Sequence, residues 1–332
     1  MPELPEVETV LRGLKQRVLG RRISRVEVSH PQVIVGSPDE FAESVRGSVI
    51  RGGTRKGKAI ALELELPSRY RTQGRRLGRS GQDDRGPRYL LVRLGMTGQF
   101  TVNPAAAPVE PHTHVRLSLD DGREEIRYRD PRRFGRLRCC SGAELEEIFG
   151  NLGPDAPGIS RREFWASLRG RRGAIKSWLM NQQVLAGLGN IYADEALYAA
   201  RIHPLVPAGD VSPEAAGRLL RAVKDVLRRA VKLQGTSFSD YIDIEGRPGN
   251  FLPRLKVYQR TGEPCRRCKN AIQRLVIGGR SSHFCPHCQP ASENQKAKEE
   301  PVPKPVVRSA AKNPSLVSSE ARLKRDSSLR SE

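Results

Sequence analysis

The sequence predicts an α+β fold: an N-terminal antiparallel β-sandwich with an N-terminal helix, then a helical domain carrying a metal-stapled β-hairpin. Three observations support this. Apolar residues alternate with period two up to about residue 140, the signature of half-buried strands. From about Ala143 the period becomes 3.6, as helices require. Near the end, four cysteines fall in two Cys-x2-Cys turns, the spacing of a tetrahedral metal site.

Taken in order, Glu6 to Val18 form a short amphipathic helix, with Val7, Val10, Leu11, Leu14 and Val18 on one face. After Gly20 the runs RISRVEVS, KAIALELEL, YLLVRLGM, THVRLSL and EEIRYRD read as strands separated by turns, giving a sandwich or barrel. The Gly/Arg-rich stretch Pro67 to Tyr89 has no periodicity and is expected to be a mobile basic loop between two strands. Five helical segments follow: GAELEEIFGNL, RREFWASLRG, GAIKSWLMNQQVLAG, NIYADEALYAARI and SPEAAGRLLRAVKDVLRRAVKLQG. IQRLVIGGRSSHF reads as two strands around Gly278-Gly279, with Arg280 at the tip of the hairpin. Domain borders are accordingly expected at 1–145 (with 67–89 as an inserted loop), 146–255, 256–290 and a disordered tail over 291–332, where Pro, Ser, Lys and Glu dominate.

Charge narrows the function. The 332 residues include 58 Lys/Arg against 37 Asp/Glu, a formal net charge of +21, with a pI near 10.3. From Ala291 onward there are nine basic and six acidic residues, so the excess lies on the folded part. That points to a polyanionic partner, most simply a nucleic acid. No apolar run reaches the length of about 18 residues that a membrane helix needs, and no secretory signal opens the chain.

Four motifs carry chemistry. Cys265, Cys268, Cys285 and Cys288 supply four thiolates, a closed set that implies one structural Zn2+ rather than a catalytic one. Gly187-Leu188-Gly189 lies between two helices, as either a phosphate clamp at a helix N-terminus or a simple tight turn. In RYRDPRRFGRL, Asp130-Pro131 makes a turn and Arg132, Arg133 and Phe134 follow. This is either a basic turn with a core aromatic or a set able to fill the gap left by an extruded base. At the start, Pro2-Glu3 places a secondary amine beside a carboxylate, either a helix cap or, once Met1 is removed, a nucleophile.

With these motifs in this order, the chain resembles the formamidopyrimidine-DNA glycosylase family over roughly residues 2–289. The resemblance runs through PELPEVETV, LGMTG, DPRRFG, AIKSWLMNQQVLAGLGNIYADEAL, GRPGNF and VYQRTGEPCRRC with FCPHC. It implies a β-sandwich followed by a helix–two-turn–helix domain with a zinc-finger hairpin, and DNA in the cleft between them. It also implies that Pro2 is the nucleophile, Glu3 its acid/base partner and Lys58 an essential lysine, with Lys56 the nearby alternative. Met96, Arg132 and Phe134 would fill the gap left by the flipped base. His112, Lys176 and Asn190 would contact DNA, Glu195 would be a nearby functional carboxylate, and Arg280 the hairpin arginine. A lesion-capping loop would fall at Gln234 to Tyr241. Arg93 stands where the family often has histidine, and the 67–89 loop and the tail are additions.

The implied activity is excision of oxidised purines from double-stranded DNA, followed by β,δ-elimination through a Schiff base on Pro2. The expected protein is a monomer of the bacterial cytoplasm, associated with the nucleoid and with no membrane. The chemistry suits the residues. A terminal amine has a reference pKa near 8 against about 10.4 for lysine, so more of it is free base at neutral pH. Two other readings compete. One is the endonuclease VIII branch, which prefers oxidised pyrimidines; PELPEVE and the set Met96, Arg132 and Phe134 argue against it. The other is a zinc-dependent DNA-binding protein without catalysis, against which Pro2, Glu3 and Lys58 stand together.

Overall fold

The computed structural model describes residues 2–67, 86–120, 122–238 and 240–291. Positions 68–85 of the expected basic loop and 292–332 of the expected tail lie outside the described residues. The last two positions of that loop, Arg88 and Tyr89, already belong to a strand.

Helix α1 (Leu4–Val18) starts with Pro at its first turn, where the missing N–H costs nothing. It buries Val7, Val10, Leu11, Leu14 and Val18. Two four-stranded antiparallel sheets follow. One has the order β1 (Ile23–Val28), β6 (Thr113–Leu119), β7 (Glu124–Arg129), β5 (Gln99–Pro104). The other has the order β2 (Val49–Lys56), β3 (Ala59–Glu65), β4 (Arg88–Arg93), β8 (Arg136–Ser141). Their inward residues, among them Ile60, Leu62, Leu90, Phe100, Leu117 and Ile126, form one core with α1.

Several elements differ from the sequence expectation. Strands β2 and β5 lie outside the sequence expectation: Gly52 and Gly53 break the alternation of β2, and β5 ends in Asn103-Pro104, residues that read as turn. A short helix α2 (Pro38–Val45) lies within the strand-rich half, capped by Ser37 accepting from the Glu40 N–H and burying Phe41 and Val45.

The helical half comprises α3 (Gly142–Gly150), α4 (Arg161–Leu168), α5 (Ile175–Leu179), α6 (Asn190–Ala200) and α7 (Pro213–Lys232). The border drawn at 145/146 falls inside α3. Of the expected helix over GAIKSWLMNQQVLAG, only α5 forms. The Asn181 side chain accepts the Gln183 N–H, and Gln182 bonds to the backbone of Met180, Gly187 and Leu188. Such local side-chain bonds compete with the helix ladder.

Strands β9 (Gln273–Ile277) and β10 (Arg280–Phe284) pair with Arg280 opposite Ile277. The two-residue turn between them, Gly278-Gly279, has φ of +54° and +73°, a conformation that glycine adopts without a Cβ penalty.

Candidate active site and DNA interface

The N-terminus is held by the helical half. The Leu4 N–H donates to the Gly187 carbonyl at 3.0 Å. The Glu3 carboxylate accepts the Gly189 N–H at 2.7 Å and the Ile191 N–H at 2.9 Å, both at the N-terminus of α6. A helix N-terminus suits an anion through its free N–H groups and its dipole. The glycine turn read from the sequence as a possible phosphate clamp thus grips a carboxylate of the chain itself. Both glycines are required by space: a Cβ on Gly187 would lie 2.6 Å from Leu4 Cδ1, and one on Gly189 2.4 Å from Glu3 Cδ and 2.6 Å from Lys58 Nζ.

Behind Glu3 lies a second buried carboxylate, Glu6. It accepts the Glu3 N–H at 2.8 Å, the Thr236 N–H at 2.8 Å and the Tyr192 hydroxyl. Burial, the largest influence, pushes the Glu3 carboxyl up to about 7; Lys58 pulls it back and Glu6 adds to the rise. Lys58 occupies the two-residue turn Gly57-Lys58 between β2 and β3. Burial lowers its pKa, Glu3 and Glu6 oppose that, and the charge of Arg280 adds to it. Asp155 fixes this turn from the helical half, accepting the Gly57 N–H at 2.8 Å and Arg55 at 3.1 Å.

Pro2 and Lys58 open onto one pocket of about 310 Å³, whose other walls include Arg93, Gly95, Phe134 and Gln182. Its rim is built by a buried acid. Asp130 is fully buried and accepts from Thr97 Oγ1, from Tyr128 Oη at 3.0 Å and from the Gly135 N–H at 2.8 Å. Burial opposes its ionisation, but these bonds outweigh it and hold its pKa below the usual value. The loop they shape packs against the 94–98 turn so closely that a Cβ on Gly95 would lie 2.5 Å from the Gly135 nitrogen. Met96 (37% exposed) and Phe134 (55% exposed), on these two turns, are both open to solvent. The Arg132 guanidinium lies over the Phe134 ring, 4.7 Å from its centroid. His112 is exposed at a left-handed position (φ +68°), its ring edge-on to His114.

Asn190 is at the first turn of α6, its amide 3.5 Å from the Tyr258 hydroxyl and its Oδ1 without a partner. Arg280 is exposed at the hairpin tip. Lys176, expected as a DNA contact, and Glu195, expected as a functional carboxylate near the DNA-binding positions, sit differently. Lys176 is fully buried, its Nζ 2.6 Å from Asp194 Oδ1 and donating to the Ser281 carbonyl at 2.7 Å. Glu195 is also buried and accepts the N–H groups of Lys256, Val257 and Tyr258 at 2.9 to 3.0 Å. Both side chains are engaged with protein groups, and neither faces solvent. Sequence reasoning missed the buried supports Glu6, Asp130, Asp155, Tyr192 and Asp194. An isolated acid in a sequence gives no sign of the N–H groups that will surround it.

The four cysteine sulfurs all lie within 4.8 Å of one another. Tetrahedral Zn–S bonds of about 2.3 Å place sulfurs roughly 3.8 Å apart, so the set fits zinc. The Cys265–Cys288 and Cys268–Cys285 sulfur pairs are 3.9 and 3.4 Å apart. The Arg267 N–H donates to Cys265 and the Cys288 N–H to Cys285, stabilising thiolate charge. The site holds one structural zinc that staples the hairpin to the segment before it.

A two-sheet sandwich and a helical domain that share a pocket holding Pro2, Lys58 and Arg93, with a zinc-stapled hairpin on the helical domain, suit an enzyme acting on a polyanionic substrate. Family models agree along the chain: the formamidopyrimidine-DNA glycosylase N-terminal domain matches residues 1–137, its H2TH domain 152–241, and the zinc finger found in FPG and IleRS 262–291. The formamidopyrimidine-DNA glycosylase of Symbiobacterium thermophilum is 42% identical over 298 residues, covering 88% of this chain and 90% of that one. That of Salinispora arenicola is 42% identical over 297 residues, covering 87% and 96%. Among solved structures, a mutant Lactococcus lactis FPG with Fapy-dG-containing DNA superposes with a TM-score of 0.77 at 32% identity, covering 87% of this chain and all of that one. The Lactococcus lactis enzyme with abasic-site DNA gives the same TM-score and coverage. The chain belongs to the formamidopyrimidine-DNA glycosylase family. It is accordingly a base-excision repair glycosylase and abasic-site lyase that binds DNA.

Proposed function

We propose that the chain excises oxidised purines, 8-oxoguanine and formamidopyrimidines above all, and cleaves the resulting site by β,δ-elimination through a Schiff base on Pro2. The observation that carries this reading is the shared pocket of Pro2 and Lys58 beneath Phe134, with Glu3 beside it near its ionisation midpoint at neutral pH.

The target sugar carbon is buried in a duplex, so the nucleotide must leave the stack at a cost of a few kcal/mol. Met96, Arg132 and Phe134 enter the vacancy and offset that cost by stacking and hydrogen bonding. His112, Asn190 and Arg280 present donors to the backbone, while Lys176 and Glu195 act from behind by holding the elements that carry those donors.

With Met1 removed, the Pro2 nitrogen attacks C1′. The glycosidic bond breaks, its electron pair leaves with the base, and the base takes up a proton. Pro2 loses its own proton. Glu3 donates a proton to the ring oxygen as the C1′–O4′ bond breaks, leaving an iminium between Pro2 and C1′. A secondary amine gives an iminium with no N–H to lose, so the positive charge persists and draws electrons. Loss of a C2′ proton then lets the C3′–O bond break, and the 3′ phosphate departs with the electron pair. A second proton loss allows the C5′–O bond to break in the same sense. Water hydrolyses the iminium and returns Pro2. Guanidinium binding by Arg280 favours departure of a phosphate by neutralising its charge.

The protein is proposed to act as a monomer in the bacterial cytoplasm, at the nucleoid. Among the described residues no helix is long and apolar enough to cross a membrane. Substrate preference is tested by competing single-turnover excision of 8-oxoguanine opposite cytosine, formamidopyrimidine and thymine glycol. Faster release of the purine lesions is expected; preferred release of thymine glycol would overturn the purine assignment.

A further inference from the structure

Adjacent residues Asp194 and Glu195 of α6 are both buried carboxylates, and each fastens a different segment to that helix. Glu195 takes the backbone N–H groups of 256–258. Asp194 takes strand β10: its Oδ2 accepts the His283 N–H at 2.8 Å and lies 3.1 Å from His283 Nδ1, and its Oδ1 accepts from Ser282 Oγ at 3.2 Å. Lys176 completes the joint, pairing with Asp194 and donating to the Ser281 carbonyl. The whole anchor thus lies within three residues of Arg280. On the other side of Arg280, the turn Gly278-Gly279 leads to β9, whose Ile277 pairs with Arg280, and a Cβ on Gly278 would be 3.8 Å from Ser177 Oγ on α5.

The same helix holds Glu3 through the N–H groups of Gly189 and Ile191, one turn before Asp194. One rigid element therefore fixes both the proton-handling carboxylate and the strand that carries the arginine. A buried ion pair is weak evidence for stability in itself, since apolar residues often replace one without loss. Its better-attested use is to fix register, and here the register is that of β10 on α6.

We propose that Asp194 is a positioning residue for the elimination steps: it holds β10 so that Arg280 keeps its place relative to Glu3 and Lys58. The inference rests on the phosphate-binding part assigned to Arg280 above. Schiff-base chemistry needs Pro2 and Glu3, which Asp194 does not touch, so loosening β10 should slow elimination per adduct formed.

The experiment uses the full-length zinc-loaded protein on duplex DNA with a single abasic site. Two rates are compared: formation of the borohydride-trapped adduct, and strand cleavage without borohydride. R280A is expected to lower cleavage per adduct, and D194N to lower it similarly, by about tenfold or more, since displacements near 1 Å can cost about a hundredfold. If D194N fails to fold or to hold zinc, the double variant K176M/D194L removes both buried charges and is read in its place. Its cleavage per trapped adduct should fall likewise, the ratio being independent of how much adduct the variant forms. A wild-type ratio in the folded variant, with R280A impaired, would overturn the positioning role of Asp194. A wild-type ratio in R280A itself would instead overturn the part assigned to the arginine.

Discussion

Glu3 accepts the N–H of Gly189 at 2.7 Å, joining the N-terminal segment of the sandwich half to the N-terminus of α6 in the helical half. Burial, the largest influence, raises the proton affinity of the carboxylate against the pull of this bond, and the contact joins the two halves at the reacting end of the chain. The first expectation concerns the glycine. In G189A the new methyl would meet Glu3 and Lys58 at contact distances no real Cβ tolerates. Overpacking of this kind costs about 1–3 kcal/mol. Thermal unfolding should register that modest loss, while lesion excision should fall at least tenfold. Normal excision by a folded G189A would show that Glu3 need not be held there.

The pH profile follows from Glu3. Its pKa is raised to about 7, so the proton-donating form is lost as pH rises through 7. For a raised carboxyl the linked stability is likewise full at low pH and lost over the same rise. Single-turnover base release should therefore decline on an alkaline limb near pH 7. E3Q should lower the rate by about 10²–10⁴-fold and remove that limb. A limb that survives in E3Q belongs to another group.

Asp130 shapes the loop that presents Arg132 and Phe134. D130A leaves the Tyr128 hydroxyl and the Gly135 N–H without their buried acceptor, at about 1–3 kcal/mol each. Excision from duplex DNA should suffer far more in this variant than cleavage of an abasic site in a single strand, where no stacked base must be replaced. F134A should show the same duplex-specific loss, about 1–3 kcal/mol, without destabilising the fold. Equal losses on both substrates would argue against a gap-filling part for this loop.

Removal of zinc should release the hairpin. Chelation, or C268S, is expected to abolish tight duplex binding and expose thiols to a colorimetric reagent, because the hairpin's own apolar cluster is small: Leu275, Ile277 and Phe284 with partial cover from Ala174 and Leu205. Retention of wild-type affinity by zinc-free protein would separate DNA binding from the hairpin.

Much of this was legible in the sequence, and the limits are physical. The alternation of KAIALELEL and the spacing of Cys265, Cys268, Cys285 and Cys288 are local signals, and both led to the structure found. Met96 and Phe134 were recognised as a pair through family resemblance, and both are open to solvent. Lys176 and Glu195 mark the limit. Lys176 is expected at the DNA and Glu195 as a functional carboxylate near it, yet each is buried, because a charged residue's environment is decided by segments far away in the chain, here Ser281 and residues 256–258. The same holds for the glycine turn at 187–189, which suits a phosphate by sequence, whereas the Gly189 N–H is taken by Glu3 and the Gly187 N–H by Gln182. Helix α2 and strand β2 were missed for a different reason: their periodicity is too short or too glycine-broken to register.

The central claim is that the amine of Pro2, and not a lysine, bonds to the sugar. Its most direct test is borohydride reduction of the protein on 8-oxoguanine-containing duplex, then proteolysis and mass spectrometry of the adduct. The expected result is a sugar fragment on the N-terminal peptide at Pro2, absent from protein that retains Met1. A fragment carried by Lys58, or trapping undiminished with Met1 in place, would contradict it.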